Sequence, residues 1–377
     1  MRRIVLALLI TLTSIVADAK VWQAEWITSP TANTQSGAWF CFHKSITIDD
    51  LGDQSAFADI AVDSKYWLWI NGEMVVFEGG LKRGPSPRNT YYDHVDITRH
   101  LRRGENTIAL LVWYFGKDGF SHQNSGQMGL LFDCHTDTFS ILSDDTWLCQ
   151  HYDAFEPTEG TQPNFRLAES NIRFNAQKAI EGWYTQGSHP SFSRAVTVGK
   201  AGCEPWNKLI ERPIPLWRDY GISDYTSITE EQDGDHTIYR CRLPYNCHAT
   251  PYLEVEATEG KLIHIQTDDY MGGGEPNVRA EYVTRAGRQQ YESLGWMNGH
   301  EVIYRIPQGV DVIALRYRET GYDTDFSGTF LCNDDFLNRL RTKALRTLYV
   351  TMRDSYMDCP DRERSQWWGD EVNELGE

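Results

Sequence analysis

The chain has 377 residues, of which 41% are hydrophobic and 12% aromatic, and this apolar content excludes a wholly disordered protein. Its formal net charge of −17 at pH 7 creates a field that repels phosphate backbones and anionic lipid surfaces, so a nucleic-acid-binding function is disfavoured. A chain of this length is expected to form two or three domains.

The first nineteen residues have the pattern of a secretory signal peptide. Two arginines precede a mainly apolar run over residues 4–16, and Ala17-Asp18-Ala19 supplies small residues for cleavage after Ala19. The run is shorter than the roughly 20 residues that span a bilayer, so it is not expected to be a membrane anchor. An exported protein, periplasmic or extracellular and without a membrane span, is predicted.

Eight cysteines are scattered along the chain. They form no C-x-x-C pair and lie near no histidine at zinc-finger spacing, so neither a metal site nor a cofactor is predicted. Export would permit disulfides, and Cys134 with Cys149 or Cys241 with Cys247 are possible pairs, but the sequence leaves the pairing open.

A first β-sandwich is predicted over residues 20–204. Two runs rich in β-formers flank Asn71-Gly72, a strong hairpin signal because both residues tolerate positive φ. A near-continuous apolar run over residues 107–115 indicates a strand that is buried on both faces or lies in a sandwich core. This order of elements resembles the galactose-binding-like jelly roll. Core packing is expected for the aromatic side chains of these strands, with a sugar-binding face as the alternative: Tyr66, Trp67, Trp69, Trp113 and Tyr114.

A second β-sandwich is predicted over residues 205–331. A proline-rich connector over 205–216 opens it, since residues that precede proline favour extended conformations. Alternating apolar residues over 252–268 predict an antiparallel hairpin around Glu259-Gly260, and further strands are expected at 301–306 and 312–318.

The pattern changes at Cys332, where Asn333 or Asp334 is suited to cap a helix. Apolar residues then recur at spacings of three and four, which predicts an amphipathic helix of about five turns. These residues are Phe336, Leu337, Leu340, Ala344, Leu345 and Leu348. Residues 332–377 are therefore predicted to begin a helical domain.

The chemistry is concentrated in residues 358–370, which read D-C-P-D-R-E-R-S-Q-W-W-G-D. A solvated charged loop is the alternative, but adjacent tryptophans favour a partly desolvated pocket. Glycoside hydrolysis needs one protonated carboxyl to donate to the leaving oxygen and a second carboxylate across the sugar. Arginine and carboxylate side chains can bind sugar hydroxyls, and an indole can pack on the apolar face of a pyranose.

These residues resemble the signature D-C-P-x-R-E-R-x-G-W-x-G-D of the inverting α-L-rhamnosidases, which are built from β-sandwich modules and an (α/α)6 barrel. The resemblance extends to the Trp22–Ile27 start and to the connector at 206–215. It implies Glu363 as general acid, a stacking role for Trp367, and binding of the sugar hydroxyls by three further residues: Asp358, Arg362 and Asp370.

The resemblance implies an exported glycoside hydrolase that removes terminal α-L-rhamnose, or a similar deoxysugar, from an oligosaccharide, polysaccharide or glycoside. Gln366 departs from the family's glycine, so the match supports the mechanism better than the particular sugar. The family's catalytic base lies far downstream, so the chain is expected to be an N-terminal part with a truncated barrel. The alternatives are a non-catalytic carbohydrate-binding protein and a six-hairpin glycosidase for a different sugar.

Overall fold

The computed structural model describes residues 20–31, 35–83, 88–158, 167–185, 190–269, 271–272, 275–367 and 369. The predicted signal peptide lies outside them. Within the described residues the protein is mainly β, as predicted, with one α-helix, α1 (Asp335–Val350), and short 3-10 helices at Thr98–His100 and Ala176–Lys178. The strands are β1 (Glu25–Thr28), β2 (Ala38–Ile48), β3 (Phe57–Asp63), β4 (Lys65–Ile70), β5 (Glu73–Gly79), β6 (Asn89–Asp96), β7 (Gly104–Tyr114), β8 (Gly129–His135), β9 (Ser140–Leu142), β10 (Leu148–His151), β11 (Phe155–Pro157), β12 (Ile172–Asn175), β13 (Ser193–Arg194), β14 (Val196–Lys200), β15 (Lys208–Glu211), β16 (Arg218–Asp224), β17 (Ser227–Asp233), β18 (His236–Ala257), β19 (Leu262–Thr267), β20 (Met271–Gly272), β21 (Glu275–Pro276), β22 (Arg279–Val283), β23 (Gly287–Glu292), β24 (Met297–Pro307) and β25 (Val310–Gly321).

The first part of the chain forms a sandwich of two sheets. One sheet has the order β14-β1-β8-β3-β6-β15, with β9 on β8, and the other has the order β13-β10-β2-β7-β4-β5. Alternate residues of both sheets point into a shared core, which includes Phe40, Ile60, Leu110, Phe132 and Trp147. Because successive residues of a strand face opposite sides, each strand also presents a second set of side chains outward.

Strand β7 shows why its sequence is apolar almost without interruption. Ile108, Leu110 and Val112 lie in the inner core, whereas Leu111 and Trp113 belong to a second buried cluster on the outer face. In that cluster the Trp39 and Trp113 rings stack at 4.7 Å. The prediction of core packing is thus confirmed for the strand aromatics, of which Tyr66, Trp67, Trp113 and Tyr114 are buried and Trp69 is partly buried.

The hairpin predicted at Asn71-Gly72 is present between β4 and β5. Asn71 has φ 52° and Gly72 has φ 81°, the pair of positive angles that a type I′ turn requires. The Asn71 side chain also accepts a hydrogen bond from the Thr107 amide at 3.1 Å, which ties the turn to β7.

The second sandwich is built from one ten-stranded sheet that bends over on itself. Its path is β11-β12-β22-β19-β24-β18-β25-β16, and β17 and β23 also pair with β18. The 22-residue strand β18 changes neighbours along its length: its first part lies between β17 and β24, and its last part between β23 and β25. The two layers enclose a core that includes Leu253, Ile265, Tyr282, Val302 and Tyr304.

The hairpin predicted around Glu259-Gly260 is wrong. The last part of β18 is hydrogen-bonded to β23 and β25, so both of its edges are already occupied. Strand β19 instead pairs with β22 and β24. The sequence alternation correctly indicated two half-buried strands, but it contains no information on which strand edges remain free.

Strands cross the predicted boundary between residues 204 and 205 in both directions. Strand β15 of the connector pairs in parallel with β6 of the first sandwich, and Trp206 stacks on Trp26 at 4.1 Å. Strand β12, which precedes the boundary, pairs in parallel with β22 of the second sheet. Strand β12 therefore lies within the range predicted for the first sandwich but is part of the second sheet.

Helix α1 follows the second sandwich, and Asp334 caps it as predicted by accepting hydrogen bonds from the Phe336 and Leu337 amides. Apolar side chains on its first turns are exposed, namely Phe336, Leu337 and Leu340. Its end is held by the second sheet, because Arg346 pairs with Glu319 at 3.0 Å and the Tyr349 hydroxyl lies 2.9 Å from that of Tyr220. None of the helices that the structure describes is long and apolar enough to cross a membrane.

All eight cysteines are free thiols in the structure. Neither possible pairing, Cys134 with Cys149 or Cys241 with Cys247, is formed. Burial raises the pKa of the Cys134 and Cys241 thiols to about 12, which keeps both protonated and unreactive at neutral pH.

Candidate active site

The charged motif forms a closed loop shortly after α1. The Asp358 amide donates to the Ser365 carbonyl at 2.9 Å, and the Ser365 amide donates to Asp358 Oδ1 at 3.3 Å. Pro360, which has no amide hydrogen, lies inside the loop and prevents a return to helix. This closure brings the side chains of Asp358 and Glu363 together.

Three of the predicted site residues, Asp358, Arg362 and Glu363, form one cluster in this loop. Arg362 Nε donates to Glu363 Oε2, and Arg362 Nη2 lies 3.9 Å from Asp358 Oδ2. The Cys359 thiol lies between the carboxylates, 3.4 Å from Glu363 Oε2 and 3.5 Å from Asp358 Oδ2. Glu363 is buried, whereas the Arg362 side chain is 46% exposed.

The pKa values of the two carboxyl groups are shifted in opposite directions. Burial, together with the neighbouring Glu363, raises the pKa of Asp358 above its ordinary value. Burial also raises the pKa of Glu363, but hydrogen bonds from Arg362, Asp358 and Cys359 outweigh this and lower it overall. In the structure the Arg362 contact therefore favours the ionised form of Glu363.

Asp358, Cys359 and Glu363 are the three side chains whose potential metal-ligand atoms lie within 4.8 Å of one another among the described residues. The Arg362 guanidinium already places a positive charge against this cluster. The cluster therefore resembles a pair of carboxyl groups with an arginine as cationic partner more than it resembles a site for a metal ion.

Arg364 holds the loop in place through the contacts of its guanidinium group. Its guanidinium donates to the Pro360 carbonyl at 2.7 Å, to Glu169 Oε1 at 3.1 Å and to the Trp296 carbonyl at 3.0 Å. It also lies 3.4 Å from the centre of the Trp296 ring, which adds a cation–π contact. Arg364 has a φ of 49°, an unusual angle for a residue other than glycine.

A second ionic group joins the segment after α1 to the first sandwich. Asp354 accepts hydrogen bonds from Lys65 Nζ at 2.6 Å and from the Lys82 amide at 2.8 Å. Arg353 donates to Glu78 at 2.7 Å, and Lys65 lies 3.5 Å from Glu78. These charges are buried and paired, so they fix the position of residues 353–354 against β4 and β5.

A cleft of about 580 Å³ opens beside the loop, between the first sandwich and the connector. Ser365 and the exposed Gln366 line it on one side, and Phe120 on the other. Trp367 is exposed, and its ring lies edge-on to that of Phe120 with the ring centres 5.6 Å apart. Trp367 therefore lies against a residue that lines the cleft. Asp370, the remaining predicted site residue, lies outside the described residues, as does Trp368.

Sequence reasoning missed the residues that hold the loop in place. Glu169 lies in a polar stretch far from the motif in sequence, and Lys82 follows two glycines in a loop of the first sandwich. No spacing rule connects either residue to Arg364. Of the residues that fix this region, only Arg353 and Asp354 could have been found from the sequence, because these oppositely charged residues lie four to five positions before the motif.

Comparisons with known proteins bear on both the motif segment and the β-sandwiches. Residues 325–375 match the family model described as the bacterial alpha-L-rhamnosidase 6 hairpin glycosidase domain. An alpha-L-rhamnosidase of Formosa agariphila is 21% identical over 345 residues, covering 81% of this chain and 34% of that protein. The GH78 family rhamnosidase of Bacillus sp. GL1 superposes with a TM-score of 0.83 at 16% identity, covering 95% of this chain and 61% of that one. The Streptomyces avermitilis alpha-L-rhamnosidase complexed with L-rhamnose has a TM-score of 0.68 at 17% identity, covering 89% of this chain and 34% of that one.

The chain spans about a third of the length of the curated relative that it matches. The likeness to solved structures covers both sandwiches and the start of the helical region, so it extends well beyond the motif loop. The family match, in contrast, is confined to the segment that contains α1 and the loop. The chain is thus similar to bacterial α-L-rhamnosidases, as its motif suggested: residues 325–375 match their six-hairpin glycosidase domain, and the chain shares the fold of solved rhamnosidases.

Proposed function

We propose that the full-length protein that carries this chain is an exported glycoside hydrolase, and that it removes terminal α-L-rhamnose or a similar deoxysugar with inversion. The observation that carries the proposal is the cluster of Asp358, Arg362 and Glu363 in the segment that matches the six-hairpin glycosidase family. Glu363 is the proposed general acid. Asp358, Arg362 and Asp370 are proposed to bind the sugar hydroxyls, and Trp367 to stack on the ring.

The exposed Arg362 provides a way to protonate the acid at the right time. In the free enzyme its contact lowers the pKa of Glu363. A substrate hydroxyl that attracts the Arg362 guanidinium removes this cause, and burial then acts to raise the pKa of Glu363. We propose that sugar binding in this way prepares Glu363 to donate a proton to the leaving oxygen.

The spacing of the carboxylates supports a catalytic base outside this loop. Inverting glycosidases hold their two carboxyl groups about 6.5–9.5 Å apart, which leaves room for the attacking water. Carboxylate oxygens of Asp358 and Glu363 lie within 4.8 Å of each other, which is too close for that water. We propose that the base is a carboxylate supplied by a part of the barrel beyond residues 1–377.

The other proposed functions receive less support. Of the aromatic side chains that could have built a sugar-binding face on the first sandwich, four are buried and Trp69 is partly buried, which disfavours a purely carbohydrate-binding protein. A six-hairpin glycosidase for a different sugar stays an alternative. Gln366 favours it, because its exposed side chain lines the cleft where the family commonly has glycine.

The hydrolase proposal is tested with the purified full-length protein and a panel of aryl glycosides. Faster hydrolysis of the α-L-rhamnoside than of any other sugar, with the β-anomer of rhamnose as the first product by NMR, is expected. Turnover of another sugar alone supports the alternative glycosidase, and no turnover with any glycoside contradicts the proposal.

Export is tested separately. If residues 1–19 are a cleaved signal peptide, the protein recovered from the periplasm or the medium begins at Lys20. Recovery of full activity in the cytosolic fraction, with Met1 retained, contradicts export without affecting the hydrolase proposal.

A further inference from the structure

We propose that Glu169 and Arg364 are positioning residues for the catalytic loop, and that the charge of Glu169 is needed to hold Glu363 in its working geometry. Together with Lys82 these residues form a buried ionic clamp, here called the clamp. The catalytic part of this inference rests on the proposed function of Glu363, whereas the structural part does not.

The clamp holds the residue directly after the proposed acid. Arg364 directs three nitrogens to three different groups: the Pro360 carbonyl in the loop, the Trp296 carbonyl in the second sandwich, and Glu169. A planar guanidinium with fixed donor directions restrains both position and orientation. Because Glu363 is bonded to Arg364 through the backbone, a shift of Arg364 moves Glu363 as well.

Glu169 is held in place from the other side. It receives a hydrogen bond from Lys82 Nζ at 3.0 Å, and the positive charges of Lys82 and Arg364 outweigh burial and lower its pKa to about 2. Two residues later, Asn171 donates to the Asn277 carbonyl at 3.2 Å and accepts from the Arg279 amide at 3.1 Å. The carboxylate is therefore ionised at working pH and is bonded to the first sandwich through Lys82, while the chain beside it is bonded to the second sandwich through Asn171.

Asn277 completes the restraint, because its side chain also donates to the Asp361 carbonyl. The loop is thus held at Asp361 and at Arg364, the positions on either side of the Arg362-Glu363 pair. These contacts restrain the backbone on both sides of Glu363, which is the role of a positioning device.

The charge matters because removing one partner of a buried ion pair leaves the other without compensation. Gln at position 169 preserves the size of the side chain but leaves the positive charges of Lys82 and Arg364 without their carboxylate. A displacement of about 1 Å at a reacting group can cost about 100-fold in rate. The expected consequence is a lower kcat, with little change in KM, since Glu169 is buried and is not one of the residues proposed to bind the sugar.

The test compares Glu169→Gln with Glu281→Gln in the full-length protein. Glu281 is a matched control: it is also buried and paired with an arginine, Arg173, at 2.6 Å, and its ion-pair partners, Arg173 and His264, belong to the second sheet rather than to the loop. For each variant, kcat and KM for an aryl α-L-rhamnoside, the melting temperature, and hydrogen exchange of the Asp358 and Ser365 amides are measured. Arg364→Lys, which keeps the positive charge but loses the planar guanidinium with its fixed donor directions, is a further variant.

Glu169→Gln is expected to lower kcat about 10- to 100-fold with KM within about threefold of wild type, and to speed exchange at both amides. Arg364→Lys is expected to do the same, whereas Glu281→Gln lowers only the melting temperature. Equal kcat and equal exchange in Glu169→Gln and Glu281→Gln overturn the proposal. If the wild-type protein hydrolyses no rhamnoside, faster loop exchange in Glu169→Gln alone still supports the structural clamp, and the proposed function is the part that fails.

Discussion

The clamp and the cluster of Asp358, Arg362 and Glu363 both place a buried glutamate against an arginine, yet they differ in what surrounds the cation. The cationic side chains that hold Glu169 are nearly inaccessible, with Lys82 7% and Arg364 2% exposed. The arginine that contacts Glu363 is 46% exposed. A desolvated pair cannot separate without a large cost, whereas a pair that solvent reaches is weakly held.

This difference assigns separate tasks to two arginines of the same short motif. Arg364 faces inward and fixes the loop to both sandwiches. Arg362 lies at the surface, and under the proposed function a sugar hydroxyl replaces its contact with Glu363. We therefore propose that the same type of ion pair is rigid in one place and exchangeable in the other. Four experiments test this comparison, beginning with the largest expected effect.

Glu363→Gln in the full-length protein is expected to lower turnover of an aryl α-L-rhamnoside with a poor leaving group about 1,000-fold, because the variant cannot donate a proton. Binding of L-rhamnose, measured by calorimetry, should remain within a few-fold of wild type. Unchanged turnover would remove Glu363 from the mechanism. A loss of binding together with turnover would indicate a collapsed loop.

Arg353→Met is expected to destabilise the chain by about 3–5 kcal/mol, since it leaves the buried Glu78 without its closest cationic partner. The free energy of unfolding in guanidinium chloride provides the measurement. Arg218→Met is the control, because Arg218 forms exposed ion pairs with Asp323 and Asp325, and it should show no measurable loss. Equal stability of the two variants would show that the junction is not fixed by its charges.

Acid is expected to weaken the junction between the sandwiches and the loop. The pKa of Glu169 is lowered from 4.5 to about 2, so its contribution is fully present above pH 4.5 and is lost as the pH falls toward 2. Integrated over that range, the shift corresponds to a loss on the order of 3 kcal/mol. Burial also lowers the pKa of His248, whose Nε2–H donates to the Val350 carbonyl at 2.7 Å, so its contribution declines below pH 6.5.

Unfolding in guanidinium chloride at a series of pH values from 7 to 3 measures this loss. Glu169→Gln should start from a lower stability at pH 7 and lose less on acidification, because it has no carboxylate to protonate at that site. A wild-type profile that is flat down to pH 3 would contradict the lowered pKa of Glu169.

Arg362→Met is expected to have the smallest effect of the four and tests the exchangeable contact. Loss of the guanidinium removes a cause that lowers the pKa of Glu363, so the basic limb of the kcat/KM profile should move to higher pH. The rate at the optimum should fall about tenfold through the lost hydroxyl contact. A shift of the limb to lower pH would show that Arg362 does not control this ionisation.

Local sequence signals predicted individual elements well. The positive φ angles at Asn71 and Gly72, the capping by Asp334 and the burial of both faces of β7 all depend on a few neighbouring residues, and each is present. Pairing between strands that are distant in sequence could not be predicted from such local signals. The pattern over residues 252–268 specified two half-buried strands, but their partners are chosen by which edges the rest of the sheet leaves free.

In the candidate site, too, local sequence predicted some features and long-range contacts determined the others. The motif by itself placed Asp358, Arg362 and Glu363 within one short loop, because the closure of that loop is a local property of the chain. What tertiary structure alone decided is the environment of these residues: Glu169 and Lys82 lie 195 and 282 positions before Arg364 in the chain, and folding brings them together. A sequence can specify which charges a site contains, but burial and distance determine which of them are held fixed and which can exchange partners.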